Sequence, residues 1–292
     1  MEEQILRDTP TESELPKKKK GSCISRMAKV ILILFFIWWF NNYTLKINEK
    51  HISSDKVNND VKLAVLSDLH AYDGIFSIDN KTIVKKIKRI DPDAVCVLGD
   101  MHSSNADETE KQISMDLMTG IIDEGYKLYF VLGEHDDRTN AYVDKMEKNK
   151  IHVLDGEAEK ITIGDTDLTF YGISNAFFSP SFDLTNEFDI DKSTYNILLA
   201  HIPMYSDYEK FGADLTLCGD THGGIIQIPF LGPAYYNGKF VPELYEDKNK
   251  IFDKGLFKYD GGYLFITSGI GNYIGDYNIC LLYTSPSPRD RG

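Results

Sequence analysis

Short apolar runs alternate with amphipathic segments in the first half of the chain. Three of these runs are typical of buried strands: VKLAVL at 61–66, AVCVL at 94–98 and LYFVL at 128–132. Between them, apolar residues recur with helical spacing at 78–90, which Asp91-Pro92 closes, and at 115–122. Strands that alternate with helices indicate parallel β-α-β units.

The second half of the chain is richer in strands. Residues 160–172 predict two strands joined by a turn at Gly164-Asp165, and buried strands are predicted at 196–200, 215–218 and 263–267. We therefore expect an α/β protein in which a second sheet packs against the first.

The N-terminal region divides into a polar tail and an apolar block. Residues 1–20 are polar and end in four lysines, and we expect residues 1–26 to form a disordered cytoplasmic tail. The strictly apolar block at 30–40 is shorter than the roughly 20 residues that span a bilayer, but 27–45 approaches that length. A cleaved signal peptide would need a small-x-small site, which residues 41–44 do not offer, and a buried core helix would hardly follow a lysine cluster. We expect an uncleaved, single-pass membrane anchor at 27–45 with the rest of the chain outside the cell membrane, and a linker at 46–60.

The C-terminal residues differ from everything before them. Residues 281–292, LLYTSPSPRDRG, show neither the helix nor the strand period and resemble translated sequencing adapter. We expect this segment to be non-native and to stand outside the fold. The globular domain is then expected at 61–280, truncated at its C-terminus.

Charge narrows the classes of partner. The net charge is −13 and the sequence pI is about 5.0, so an acidic body would repel a nucleic-acid backbone, and no nucleic-acid partner is expected. Carboxylates suit hard cations instead. The four cysteines show no paired spacing, which argues against a disulfide framework.

Candidate chemistry is concentrated in five segments that end in metal-ligand side chains. The segments are Ser67-Asp68-Leu69-His70, Gly99-Asp100, Gly133-Glu134-His135-Asp136, Ala200-His201 and Gly219-Asp220-Thr221-His222. Most of them follow a predicted strand. Open α/β sheets place their ligand sites at the C-terminal ends of strands. Asp and His repeated at that position predict a metal centre assembled from distant parts of the chain.

These motifs resemble those of the calcineurin-like metallophosphoesterases, whose pattern is D-x-H, G-D, G-N-H-[DE], H and G-H-x-H. The resemblance covers roughly residues 61–271, and the run at 217–224 followed by Ile228-Pro229 looks most like the membrane-anchored bacterial phosphodiesterase branch. It implies a two-sheet β-sandwich flanked by helices (the αββα fold) and a binuclear, metal-dependent hydrolase of phosphoric esters.

The resemblance also implies a role for each motif residue. Seven side chains would hold two divalent ions: Asp68, His70 and His222 the first, Glu134, His201 and Asp220 the second, and Asp100 both. His135 would stabilise or protonate the leaving oxygen, and Asp136 would orient His135. A hydroxide held between the ions would attack phosphorus in line.

Two positions depart from the family pattern, and both fall on the second metal. Glu134 stands where the family usually has Asn, and Asp220 stands where it has His. Four carboxylates would then surround two divalent ions drawn from Mn, Fe, Mg and Zn. We expect a harder cation of the Mn type, rather than Zn²⁺, at the second site.

The expected function is hydrolysis of phosphoric esters, with phosphodiesters favoured, at the outer face of the cell membrane. Lipid or cell-envelope components are the expected substrates. The alternatives are a non-catalytic, metal-binding envelope protein, and an envelope pyrophosphatase or nuclease.

Overall fold

A computed structural model describes residues 23–43, 45–74, 77–174, 183–224, 227–228, 231–236, 239–242, 250–271 and 278–286. The described helices are α1 (Cys23–Tyr43), α2 (Asn80–Ile90), α3 (Glu108–Asp123), α4 (Asn140–Lys148) and α5 (Tyr205–Phe211), with short 3₁₀ turns at Leu184–Asn186 and His222–Gly224. The described residues up to 40 belong to one compact unit, and those from 41 onward belong to another.

The N-terminal unit contains most of α1. Among the described residues, no helix is both long enough and apolar enough to cross a membrane. The membrane-spanning segment predicted at 27–45 is therefore not supported. The apolar run within α1 is short, because Arg26 and Lys29 precede it and Asn41 and Asn42 follow it. Most of the tail predicted at 1–26 lies outside the described residues.

The described strands of the second unit form two sheets of six strands and two short hairpins. The first sheet has the order β1-β16-β2-β3-β4-β5, with bounds Lys46–Ser54, Asn278–Pro286, Val61–Leu66, Ala94–Val97, Leu128–Phe130 and His152–Val153. The second has the order β14-β15-β9-β8-β7-β6, with bounds Gly255–Tyr259, Gly262–Ile266, Leu215–Cys218, Tyr195–Ala200, Thr166–Ile173 and Glu157–Ile163. The hairpins pair β10 (Gln227–Ile228) with β11 (Gly232–Pro233) and β12 (Tyr235–Tyr236) with β13 (Lys239–Phe240).

The central strands of both sheets run parallel. β2, β3, β4 and β5 pair in parallel, as do β7, β8, β9 and β15, whereas β6 and β14 join their sheet antiparallel. Parallel strands end at one edge of their sheet, so the segments that follow β2, β3 and β4 emerge together. The α/β fold and the helix and strand regions predicted between 61 and 266 are confirmed.

Successive side chains of a strand point to opposite faces of its sheet, so alternate apolar residues pack either between the two sheets or against the helices. In β2, Leu63 and Val65 lie between the two sheets, whereas Ala64 and Leu66 face the helices. The ring of Tyr129 from the first sheet stacks on Phe170 from the second, with centroids 4.5 Å apart. Such strands are buried on both faces, which explains their continuous apolar runs.

Helices cover the outer faces of both sheets. α2, α3 and α4 pack their apolar residues on the first sheet, and α5 packs on the second. In α2 the buried residues are Ile83, Ile87 and Ile90, which share one helix face. The layers are therefore helices, sheet, sheet and helix, as the resemblance implied.

Strands lie beyond the predicted limits of the globular domain on both sides. The predicted linker at 46–60 contains β1, an edge strand of the first sheet. Residues 281–286, expected to stand outside the fold, belong to β16, which pairs parallel with β1 and antiparallel with β2. Neither segment shows a regular apolar period, and this is why the sequence did not predict their pairing.

Candidate metal centre

The loops that follow the strands are joined to one another by backbone hydrogen bonds. Beyond β2, Asp68 N–H donates to the carbonyl of Gly99 at 3.0 Å and His70 N–H to that of Asp100 at 3.0 Å. In the second sheet, Gly219 N–H donates to the carbonyl of His201 at 2.8 Å. Strand pairing thus continues into the loops and fixes where each candidate ligand emerges.

Five of the predicted ligands have a left-handed backbone. Their φ angles are positive: Asp68 (53°), His70 (43°), Asp100 (52°), Asp220 (66°) and His222 (48°). This conformation costs a non-glycine residue about 1–2 kcal/mol. Strained backbone persists where the surrounding structure imposes it, and it concentrates at functional sites. The strain here turns the five side chains toward a shared region.

Three neighbouring groups of side chains can each hold a metal ion. Within each group the ligand atoms lie within 4.8 Å of one another, and the groups are Asp68 with His70 and His222, Asp68 with Asp100 and His201, and Asp100 with Glu134 and His135. Asp68 and Asp100 each belong to two groups. The structure therefore brings together six of the seven predicted ligands, from five separate segments of the chain, and it also places His135, which was predicted as a proton donor rather than a ligand, in the third group.

Asp220 stands apart from these three groups, although the sequence placed it on the second metal. Its backbone N–H donates to Oδ1 of Asp68 at 3.1 Å. Burial raises the pKa of its carboxyl, and the nearby carboxylates of Glu134 and Asp100 raise that pKa further. Its side chain thus shares the electrostatic environment of the site.

His201 shows that a cation fits this donor set. Its ring is fully buried, and Nδ1 lies 2.6 Å from the carbonyl oxygen of Leu98, to which it can donate. Nε2 is buried without a hydrogen bond of good geometry, although it lies 3.1 Å from Oδ2 of Asp100 and 3.9 Å from Oδ1 of Asp68. A histidine that donates Nδ1–H to a carbonyl presents an Nε2 lone pair, the usual arrangement of a metal-ligating histidine.

Burial and the clustered carboxylates set the charges of the ligands. Burial lowers the pKa of His70 and of His222 to about 4, so both rings are neutral near pH 7. Burial raises the pKa of Asp68 to about 7. For His201, burial lowers the pKa, but hydrogen bonding to Asp100 and the charge of Asp68 outweigh it and raise the pKa to about 10. Without a metal, the site therefore retains protons that a cation can displace.

Asp136 does not serve as the expected partner of His135, which corrects its predicted catalytic role. Its buried carboxylate accepts the backbone N–H groups of Asp100 at 2.7 Å, Met101 at 2.9 Å and Gly133 at 2.8 Å. Nδ1 of His135 instead lies 2.6 Å from Oγ of Ser104. Asp136 therefore joins the two loops that carry Asp100 and His135.

The sequence did not indicate the contacts made by the three residues that follow Met101. His102 is 1 % exposed, and its Nε2 accepts the backbone N–H of Asp137 at 3.0 Å. Ser103 Oγ lies 3.3 Å from Nδ1 of His70, and Ser104 contacts His135. No sequence motif marks these residues, because their contacts depend on the path of the loop.

Two glycines permit the close approach of the loops. A Cβ at Gly133 would collide with Oδ1 and the backbone nitrogen of Asp100, and a Cβ at Gly219 would collide with Oγ of Ser67. Ser67 Oγ in turn donates to Oδ2 of Asp68. Each glycine thus protects a carboxylate that two ligand groups share.

Known proteins resemble this chain over the same region. The family model of the calcineurin-like phosphoesterases matches residues 61–224. An uncharacterized metallophosphoesterase of Campylobacter jejuni is 25 % identical over 243 residues, which cover 78 % of this chain and 63 % of that protein. Another from Helicobacter pylori is 25 % identical over 284 residues, which cover 94 % of this chain and 71 % of its own length.

A solved structure also aligns with the chain. The NAD nucleotidase of Haemophilus influenzae aligns with a TM-score of 0.48 and 15 % sequence identity, over 73 % of this chain and 46 % of its own. The present chain therefore spans less than two thirds of the length of the Campylobacter relative and of this nucleotidase. The family model nevertheless covers more than half of the chain, on the segments that carry the ligand groups, and the chain belongs to the calcineurin-like phosphoesterase family.

Proposed function

We propose that this chain is a metal-dependent hydrolase of phosphoric esters that acts preferentially on phosphodiesters. The observation that carries the proposal is the sharing of Asp68 and Asp100 between neighbouring ligand groups. Shared carboxylates are suited to holding two cations a few ångströms apart, and paired cations recur in enzymes that cleave phosphoric esters.

The ligand groups suggest how the two ions would be held. Asp68, His70 and His222 would hold one ion, and Asp100 would supply ligands for the other together with His201 and Glu134, which each share a separate group with Asp100. When bound, such ions lower the pKa of water and withdraw negative charge from the phosphoryl group. Asp220 would complete the second set after a movement of its side chain.

The chain's own residues would orient and protonate the reacting groups. His135 is 38 % exposed at the side chain, and its Nε2 lies 3.8 Å from Oδ2 of Asp100, so it faces both the ligand groups and solvent. From there it would give a proton to the leaving oxygen. Asp136 would keep Asp100 and His135 in register by holding the backbone of both loops.

The charge of the ligand set favours a diester over a monoester. Four carboxylates, those of Asp68, Asp100, Glu134 and Asp220, would balance the four positive charges of two divalent ions. A centre of low net charge attracts a dianionic monoester less strongly than a positive centre would, so a monoanionic diester is the favoured substrate.

The same carboxylates favour a harder cation than Zn²⁺ at the second site. Mn²⁺ is the expected ion there, because oxygen-rich sites suit Mn²⁺ and Mg²⁺. Replacing Glu134→Asn together with Asp220→His is expected to shift the preference toward zinc. Metal analysis of protein purified without added metal tests this, and stoichiometric zinc in both sites of the wild type would reject it.

Hydrolysis of bis(4-nitrophenyl) phosphate by the full chain, with and without Mn²⁺, tests the proposed function. Turnover that requires the metal and falls at least about 100-fold in His135→Ala is expected, because general acid catalysis contributes about 10²–10⁴-fold. His51→Ala is the matched control, because His51 is an exposed histidine on β1 and should leave the rate unchanged. Equal rates with and without metal would contradict the proposal.

A non-catalytic, metal-binding role is the second candidate. The position of Asp220 outside the ligand groups and the 47 % exposure of the Glu134 side chain favour it, because the second ion would then be held incompletely. Metal binding without turnover of any phosphoric ester would support this role. A location outside the cell membrane, and lipid, pyrophosphate-linked or other envelope substrates, stay predictions from the sequence.

A further inference from the structure

The segment that follows Asp100 contacts two histidines of the site with consecutive serines. Ser103 Oγ lies 3.3 Å from Nδ1 of His70, and Ser104 Oγ lies 2.6 Å from Nδ1 of His135. A turn holds this segment, because Ala106 N–H donates to the carbonyl of Ser103 at 2.9 Å. The two serines are therefore presented to the two rings by a defined backbone.

The start of α3 fixes the other end of the same segment. Asp107 caps the helix by accepting the N–H groups of Thr109 and Glu110, and the Glu110 side chain accepts the N–H of Asp107 in return. A capping box of this kind stabilises a helix start. Ser104 is thus held between the loop of Asp100 and a capped helix.

The surroundings of His135 assign different tasks to its two ring nitrogens. Nε2 lies 3.4 Å from Oε1 of Glu134 and 3.8 Å from Oδ2 of Asp100, so carboxylates favour hydrogen on this nitrogen. Nδ1 faces the hydroxyl of Ser104, which can accept a hydrogen bond from Nδ1–H while its own hydrogen points to solvent. Of the two ring nitrogens, only Nε2 is therefore directed at the ligand groups, whereas Nδ1 is directed at Ser104.

We propose that Ser104 is a positioning residue that accepts the Nδ1–H of His135 and so reserves Nε2 as the nitrogen that gives up its proton. This inference rests on the proposed function. As an oxygen of water bonds to phosphorus, the bond between phosphorus and the leaving oxygen breaks and its electron pair stays on that oxygen. The Nε2–H bond then breaks and the proton passes to the leaving oxygen, while the hydrogen on Nδ1 stays there, hydrogen-bonded to Oγ of Ser104. The ring finishes neutral and in the same orientation.

The dependence of rate on the leaving group tests this role. The Mn²⁺-loaded full chain is assayed with aryl methyl phosphodiesters whose leaving groups range from 4-nitrophenol to phenol. Ser104→Ala is expected to lower kcat about tenfold for phenol, which needs a proton, and less than about threefold for 4-nitrophenol. KM should stay unchanged, because Ser104 contacts the ring rather than the substrate. Ser104→Thr retains the hydroxyl and should restore the wild-type pattern.

Ser103→Ala is the matched control, because it removes the neighbouring hydroxyl from the same turn. Its contact is with His70, so it is expected to lower all rates by one factor. A Ser104→Ala effect equal across the leaving groups, or one not rescued by threonine, would overturn the inference. Absence of turnover by the wild type would overturn the proposed function instead.

Nitrogen NMR of the magnesium-loaded protein gives a readout independent of turnover. The wild type is expected to show a protonated, hydrogen-bonded Nδ1 in His135, and this resonance should move in Ser104→Ala but not in Ser104→Thr. A His135 resonance that is the same in wild type and Ser104→Ala would contradict the contact.

Discussion

Asp136 offers the clearest test of how the loops are held. Asp136 is 5 % exposed, and its carboxylate accepts hydrogen bonds from three buried backbone N–H groups, those of Asp100, Met101 and Gly133. In Asp136→Ala all three donors lose their acceptor, and each buried donor left unpaired costs about 1–3 kcal/mol. Burying the carboxylate is itself costly, so we expect a net loss of about 3 kcal/mol in the free energy of unfolding.

Asp136→Asn separates the hydrogen bonds from side-chain volume. The N–H groups of Asp100 and Gly133 share Oδ2, and that of Met101 uses Oδ1, so either orientation of the amide loses at least one bond. A loss of about 2 kcal/mol is expected, together with a lower kcat, because Asp100 is shared between two ligand groups.

Urea unfolding of the metal-free protein, followed by far-ultraviolet circular dichroism, measures both losses. Tryptophan fluorescence is unsuitable, because the two tryptophans, Trp38 and Trp39, lie in α1. Asp144→Asn, an exposed change on α4, is the control and should stay within about 0.5 kcal/mol of wild type. A loss below about 1 kcal/mol in Asp136→Ala would refute the reasoning.

Two further predictions concern metal binding. Gly219→Ala should abolish binding of one ion, because its Cβ would displace Ser67 and the carboxylate of Asp68, whereas Gly120→Ala on α3 should bind both ions; equal metal content by mass spectrometry would contradict this. Because the pKa of His201 is raised to about 10, its proton competes with the metal, so affinity should rise as the pH rises from 7 toward 10. Titration calorimetry in buffers of different ionisation enthalpy should show release of about one proton from His201 at pH 7, with a further fraction from Asp68, and metal uptake without proton release would exclude the assigned charges.

The sequence predicted the strands that carry the ligands because those strands are buried on both faces. β2 matches its apolar run at 61–66, and the turn at Gly164 separates β6 from β7 as predicted. β1 could not be found in this way. Its apolar residues Ile47 and Ile52 are an odd number of positions apart, so they face different cores and leave no period-2 signal.

The positions of the candidate ligands were also predictable, because they lie within a few residues of the C-terminal end of a strand. The contacts that orient them were not. The pairing of Ser104 with His135, and of Asp136 with three backbone N–H groups, depends on loop conformation rather than on residue spacing. The family resemblance predicted the types of candidate ligand, but it assigned to Asp136 the contact with His135 that Ser104 makes in the structure.

Anomalous diffraction from crystals of the full chain grown with Mn²⁺ tests the account most directly. Two peaks a few ångströms apart are expected, with Asp100 between them and Asp68, His70 and His222 around the first. A single peak away from Asp100, or no peak among these side chains at saturating metal, would contradict the assignment of a paired metal centre.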